Sequence, residues 1–154
     1  MSPTDLNHWL LCYSAFIGYH APPEQFICER YLDGIAMVAR TDSHMDFSIH
    51  SVVAFYFAMK ESMKLYGSWI EGSFGAALKA FAATTLKRVD EPHFDRLIEV
   101  GESVNSGKGV PHAMTLNDVG VMKTLCDAYL LSTFQRLGPK GIAAAKSRDD
   151  NSVS

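Results

Sequence analysis

The run Val52-Val53-Ala54-Phe55-Tyr56-Phe57-Ala58-Met59 is apolar without interruption. An element that is hydrophobic nearly all round has no face to offer water, so it belongs in the middle of a core with amphipathic elements packed over it. The stretch that contains it, Thr41 to Leu86, is therefore what the rest of the chain is arranged around. Two periods compete at its start. Met45, Phe47 and Ile49 alternate with Asp46, Ser48 and His50, which is the period of a strand, and Val52 to Phe57 is rich in strand-favouring residues. A strand needs a partner, because an unpaired one leaves its backbone donors and acceptors unsatisfied. No second run has that pattern, so residues 44–66 are predicted as one helix that stops near Gly67.

The second half of the stretch has a clear helical period. Ile70, Phe74, Leu78, Phe81 and Thr85 form a bulky stripe, and Gly72, Ala76, Ala80 and Ala83 a small one that would let a neighbouring backbone come close. The two halves are thus expected to be a buried central helical pair.

Flanking segments carry start and stop signals. Ser2-Pro3-Thr4-Asp5 opens a helix with a cap, a proline in the first turn and an acid; Leu6, Trp9, Leu10, Tyr13, Phe16 and Ile17 follow at helical spacing up to Gly18. A second helix starts at Pro23 and turns Phe26, Ile27, Tyr31, Ile35 and Val38 inward, with Gly34 weakening its continuity. Pro92 restarts the chain as a helix bearing Phe94, Leu97, Ile98, Gly101 and Val104. Asn105 to Pro111 is a loop with two glycines. Thr115-Leu116-Asn117-Asp118 repeats a capping pattern and leads into a helix that ends at Gly138-Pro139. The expected fold is all-α: a compact single-domain bundle of about six helices over residues 1–138, with a flexible polar C-terminal tail at 139–154.

At 154 residues, the chain can bury one sizeable core without staples. A net charge of −3 gives no electrostatic reason to expect nucleic acid or an anionic surface. Cys12, Cys28 and Cys126 are odd in number and unpaired in spacing, which favours reduced thiols used as small hydrophobes over a disulfide framework or a zinc site. No leader pattern is seen at the start, and no apolar run approaches the ~20 residues of a membrane span. A cytoplasmic protein is the expectation.

Candidate chemistry centres on Asp42, His44, Asp46 and His50. Spaced by four on a helix, Asp42, Asp46 and His50 would share a face, and carboxylate with imidazole is a metal-ligating combination. Glu29 and Asp33 repeat that spacing on the preceding helix, so Asp46, His50, Glu29 and Asp33 are the candidate metal ligands between the second and third helices, as in sites built inside helix bundles. No Glu-x-x-His pair supports them, and Asp42 also fits a helix cap. Gly107-Lys108-Gly109 offers amides and a lysine to an anion but lacks the flanking strand and the Gly-Lys-Ser/Thr ending of a nucleotide loop. His93 and His112 stand near helix starts; His93, among Glu91, Asp95 and Arg96, reads as exposed. The helices from Phe94 to Tyr129 lack the short turn and basic second helix of a DNA-reading pair. No cofactor and no catalytic set is specified.

What remains is a non-enzymatic helical module that binds another protein or itself, as a regulator, adaptor, immunity factor or effector does. Its expected form is a homodimer, since Trp9, Tyr13, Tyr19, Tyr56, Tyr66 and Trp69 exceed what one small core encloses. The alternative is an enzyme or sensor whose metal or small ligand lies between the second and third helices.

Overall fold

The computed structural model describes residues 22–152 apart from 43, 68, 70 and 71. Within these residues the chain has five helices and no strand: α1 (Pro22–Arg40), α2 (Ser48–Leu65), α3 (Phe74–Thr85), α4 (Glu91–Asn105) and α5 (Leu116–Ser152). Five helices rather than about six are therefore found here, and the helix expected from Ser2 lies outside the described residues. No helix among them is long and apolar enough to cross a membrane.

The eight-residue apolar run resolves as helix. Val52, Phe55, Tyr56, Ala58 and Met59 of α2 have no solvent exposure. α2 packs most extensively against α1, then α5, and less against α4. The expected central pair is thereby corrected to a single central helix. α3 buries only Phe74, Leu78 and Ala82, and its small stripe, Ala76, Ala80 and Ala83, faces solvent. Alanine suits an exposed helix face as well as a close contact, because its helix propensity is favourable in both. The close approaches occur elsewhere. A Cβ at Gly34 would stand 2.7 Å from Phe55 Cζ, and one at Gly101 would stand 2.5 Å from Tyr56 Cγ. α1 and α4 each present a bare backbone to an aromatic face of α2.

Gly34 also sets the rotation of α1. Its core stripe is Ile27, Tyr31, Gly34 and Val38; the inward placement expected for Phe26 and Ile35 is overturned, since each is 38 % exposed. Those two flank the core stripe on opposite sides. A second apolar stripe, Cys28, Leu32, Ile35 and Ala39, follows at four-, three- and four-residue steps, with Leu32 61 % exposed.

Polar ties cross the helix contacts. Ser51 Oγ donates to the Gly34 carbonyl (3.0 Å) and Tyr31 Oη to Asp127 (2.6 Å). The helical run that starts at Leu116 is broken at Gly138, as its Gly-Pro pair led one to expect. That residue adopts φ 64°, ψ 178°, which bends the helix, and the helical conformation resumes with Pro139 in its first turn, where its missing N–H costs nothing. Beyond it, Ile142 is fully buried.

Candidate functional site

α2 starts at Ser48, not near His44, and this changes the leading candidate cluster. Thr41, Asp42 and residues 44–47 form a hydrogen-bonded connection that takes up its own carboxylates. Asp42 Oδ1 accepts from the backbone of His44 (2.7 Å) and Met45 (2.9 Å), and Asp46 Oδ1 accepts from that of Ser48 (2.8 Å). Thr41 Oγ1 accepts from the Phe47 backbone (3.1 Å). Short Asp side chains compete with helical backbone for amides, so they favour such turns over the helix interior. The His44 and Met45 amides hold the Asp42 carboxyl below the ordinary range, and the Ser48 hydroxyl first, then the Ser48 amide, do the same for Asp46. Asp42, Asp46 and His50 therefore do not share a helical face: both acids precede α2, and only His50 is on it. Of the strand-like alternation at 45–49, residues 45–47 precede the helix and Ser48 and Ile49 already belong to it.

His50 lies exposed in the first turn of α2, edge-on to the Phe47 ring (centroids 5.8 Å, 66°). It borders a groove of about 480 Å³ between α1 and α2. Arg30, Asp33 and Met37 form one wall; Ile49, Val53 and Phe57 form the other; Val104 and Val110 close it. Of the four proposed ligands, Asp33 and His50 share this groove, whereas Glu29 and Asp46 do not line it. Asp33 is paired with Arg30 (3.1 Å) and Glu29 accepts from Gln25 (2.9 Å). Among the described residues, no three His, Cys, Asp or Glu side chains are grouped so as to hold a metal ion. The groove is an apolar trough with a polar end, the usual shape of a small-ligand site.

The glycine-lysine loop has a structural use. Gly107, at φ 71°, donates to the Val104 carbonyl (3.1 Å), and Lys108 donates to that of Ser103 (2.8 Å). This pair of bonds with a left-handed residue closes the end of α4 as a Schellman motif. The amides of Gly107 and Lys108 are thus spent on the helix, and the anion-cradle reading loses two of its donors.

At the other end of that loop, Thr115 and Asp118 cap α5 reciprocally. Asp118 Oδ2 accepts from the Thr115 backbone (2.7 Å) and hydroxyl (3.0 Å), and Thr115 Oγ1 accepts from the Asp118 backbone (3.4 Å). His93 Nε2 hydrogen-bonds Asp118 Oδ1, tying the start of α4 to the start of α5. His93 is only 24 % exposed in its side chain, which corrects the exposed position expected for it. His112 Nε2 bonds Glu99 (2.6 Å) in the same way. Burial pushes the Asp118 carboxyl up, but the Thr115 and His93 hydrogen bonds outweigh it and hold it below the ordinary range. A carboxyl depressed in the folded state adds stability above its unfolded pKa of about 3.9 and loses it as pH falls through the folded value. Asp118→Asn is expected to cost about 1 kcal/mol at pH 7, as loss of a cap does. The difference from the parent should shrink as pH falls below about 4, where the carboxyl of the unfolded chain takes up its proton before that of the folded one. Urea unfolding at pH 7 and pH 3 checks this; a pH-independent difference would mean that the charge of Asp118 is not used.

A further polar cluster escaped sequence reasoning. Tyr56 Oη donates to Glu102, and Lys60 Nζ lies 3.4 Å from the same carboxylate. Lys60 also stands over the Tyr56, Trp69 and Phe74 rings at 5.8–5.9 Å. Burial first, and then the Glu102 acceptor, keep the phenol protonated well above its ordinary range. The arrangement neutralises itself and anchors α4 and α3 on α2. The i, i+4 spacing of Tyr56 and Lys60 was its only sequence signal. Cys126 is fully buried and its thiol is pushed up by burial, as an inert core thiol should be.

Of the six aromatic residues expected to exceed one small core, Trp9, Tyr13 and Tyr19 lie outside the described residues. Tyr56 and Tyr66 are buried and Trp69 is half-buried. Among the described residues, the exposed large apolar ones are Phe26, Leu32, Ile35, Met45, Val110 and Leu116, of which the first three lie on α1. No protein-family model, curated protein or solved structure shows detectable similarity to this chain.

Proposed function

We propose that the chain is a non-enzymatic helical module that binds another protein or itself. One observation carries this reading: α1 bears a second apolar stripe, outside its core stripe, in which Leu32 is 61 % and Ile35 is 38 % exposed. A helix apolar on two sides is served by two neighbours. Full burial of a Leu or Ile side chain contributes about 1.5–3 kcal/mol, so leaving both wet is a standing driving force for association. A two-fold dimer is the first assembly to test, as the commonest closed one. Native mass measurement with elemental analysis of the purified chain should give a metal-free dimer at on the order of 10 micromolar, which corresponds to a modest interface. A tightly bound metal ion, or a chain that is monomeric and captures no protein, would count against the module.

A second reading is favoured by the groove that brings Asp33 and His50 together. It makes the chain a sensor or enzyme for a small ligand or metal ion held between α1 and α2. Calorimetric titration with zinc or manganese should then give saturable heat that His50→Ala abolishes. Under the module reading neither ion gives saturable heat, and His50→Ala costs well under ~1 kcal/mol as an exposed substitution.

A further inference from the structure

We infer that the trough between α3 and α5 is a binding site for a small organic carboxylate with an apolar body. The trough encloses about 380 Å³, within the range of small-molecule sites, and Met63 near the end of α2 also lines it. Phe81 of α3 meets Tyr129 of α5 edge-on, with ring centroids 5.4 Å apart. Beside that aromatic contact, α3 lines the trough with Ala77 and Ala80. Their side chains are too short to fill the space between the helices, so an apolar wall is left open.

Two groups of α5 give the trough its chemistry. Thr133 lines it and is only 2 % exposed, yet among the described residues its hydroxyl has no hydrogen-bond partner. A helical threonine ordinarily bonds the carbonyl four residues back, but here that carbonyl, of Tyr129, accepts from Ser132 Oγ (3.1 Å). A buried hydroxyl left over in this way calls for a partner from outside the chain. Arg136, one turn further on, is exposed and is the only charged residue among the described residues that line the trough. Among those residues it takes part in no ion pair. Residues three apart on a helix are neighbours, so one carboxylate can accept from the Thr133 hydroxyl on one oxygen and from the Arg136 guanidinium on the other. A single positive charge with no acid beside it matches a monoanion, whereas a phosphate monoester, at about −1.5 to −2, would be left partly uncompensated. The apolar body then lies against Met63, Ala80 and Phe81.

Calorimetric titration of the full chain with phenylacetate tests the site. Saturable binding is expected with a Kd on the order of 1 millimolar, as suits a ligand of so few atoms. Arg136→Gln should weaken it roughly tenfold, through loss of a charge-assisted hydrogen bond. Ala80→Leu, at an exposed position, should fill the trough and abolish binding while the helical spectrum is kept. Thr133→Val should weaken binding about fivefold yet leave the melting temperature of the ligand-free chain unchanged or raised, since no internal hydrogen bond is lost. Phenylacetamide, of the same shape without the charge, should bind roughly tenfold more weakly, and inorganic phosphate should give no saturable heat. Absence of saturation by phenylacetate up to on the order of 10 millimolar overturns the inference. So does binding that ignores Arg136→Gln and Ala80→Leu, which would put the ligand elsewhere on the chain. Equal binding of the amide, or phosphate bound as tightly as phenylacetate, removes the carboxylate assignment. A lower melting temperature for ligand-free Thr133→Val would show that its hydroxyl is bonded within the chain, and the site would lose its inner donor.

Discussion

Phe55→Ala is expected to destabilise the chain by about 3–5 kcal/mol, the range for truncating a buried Phe. The Phe55 ring is fully buried, meets Tyr31 edge-on at 5.6 Å, and lies against the bare backbone of Gly34. It is thus the contact around which α1 and α2 close. Collapse is hindered because the Ser51 hydroxyl fixes the Gly34 carbonyl beside the ring. For a domain of this size the loss corresponds to a fall in melting temperature of roughly 10 °C or more. A cycle with Gly34→Ala isolates the contact. Alone, Gly34→Ala sets a methyl 2.7 Å from the ring and should cost about 1–3 kcal/mol. In the Phe55→Ala background the clash is gone, and the same change should be neutral or stabilising. Additive costs in urea unfolding, or a loss under about 1.5 kcal/mol for Phe55→Ala, would mean that the two residues are not in contact.

That contact also explains which parts of the fold were legible in the sequence. The apolar run 52–59 identified the central element because no amphipathic alternative could accommodate it. Thr115 with Asp118 marked a helix start because a reciprocal cap needs those residue types at that spacing. The orientation of α1 was not legible. Phe26, Ile27, Tyr31, Ile35 and Val38 all fit a helical period, and only the depth of Gly34 against Phe55, a contact 21 residues apart in sequence, decides which of them face the core. Small residues were likewise ambiguous. Ala76 and Ala80 look like a packing stripe, yet the close approaches use Gly34 and Gly101, and a helical wheel cannot distinguish a small residue that admits a neighbour from one that faces water.

The candidate site was legible only in part, for a related reason. Four-residue spacing among Asp42, Asp46 and His50 implies a shared face only if helix runs through all three. Asp42 and Asp46 instead bind backbone amides ahead of α2, the use for which short acidic side chains compete best. Asp33 and His50 do meet in one groove, since Asp33 is a turn of α1 away from Met37 on the wall facing Ile49 and Val53. The Tyr56–Glu102–Lys60 cluster was invisible because Glu102 lies 46 residues from Tyr56 and reaches it only when α4 crosses α2.

The crossing of α4 over α2 yields the last prediction, in which the usual sign of a substitution reverses. Replacing a mid-helix Gly by Ala ordinarily stabilises by about 0.5–1 kcal/mol, because glycine loses more conformational freedom on folding. Gly120, in α5, has nothing within 4 Å of an added Cβ, so Gly120→Ala should show that gain. Gly101 lies in α4 with its missing side chain aimed at the Tyr56 ring, where a Cβ would come within 2.5–2.6 Å of three ring atoms. The ring cannot yield: Phe74 meets it edge-on at 5.0 Å, Lys60 stands over it, and its hydroxyl is held by Glu102. Gly101→Ala must therefore displace α4, at a cost of about 1–3 kcal/mol that exceeds the propensity gain. Tyr56→Ala, which removes the ring, should return Gly101→Ala to the stabilising sign while itself costing several kcal/mol, on the order of 3–5. Thermal and urea unfolding of the two glycine variants side by side test the packing of α4 on α2. Equal stabilisation by both would mean that Gly101 does not touch Tyr56 and that the central helix is open on that side.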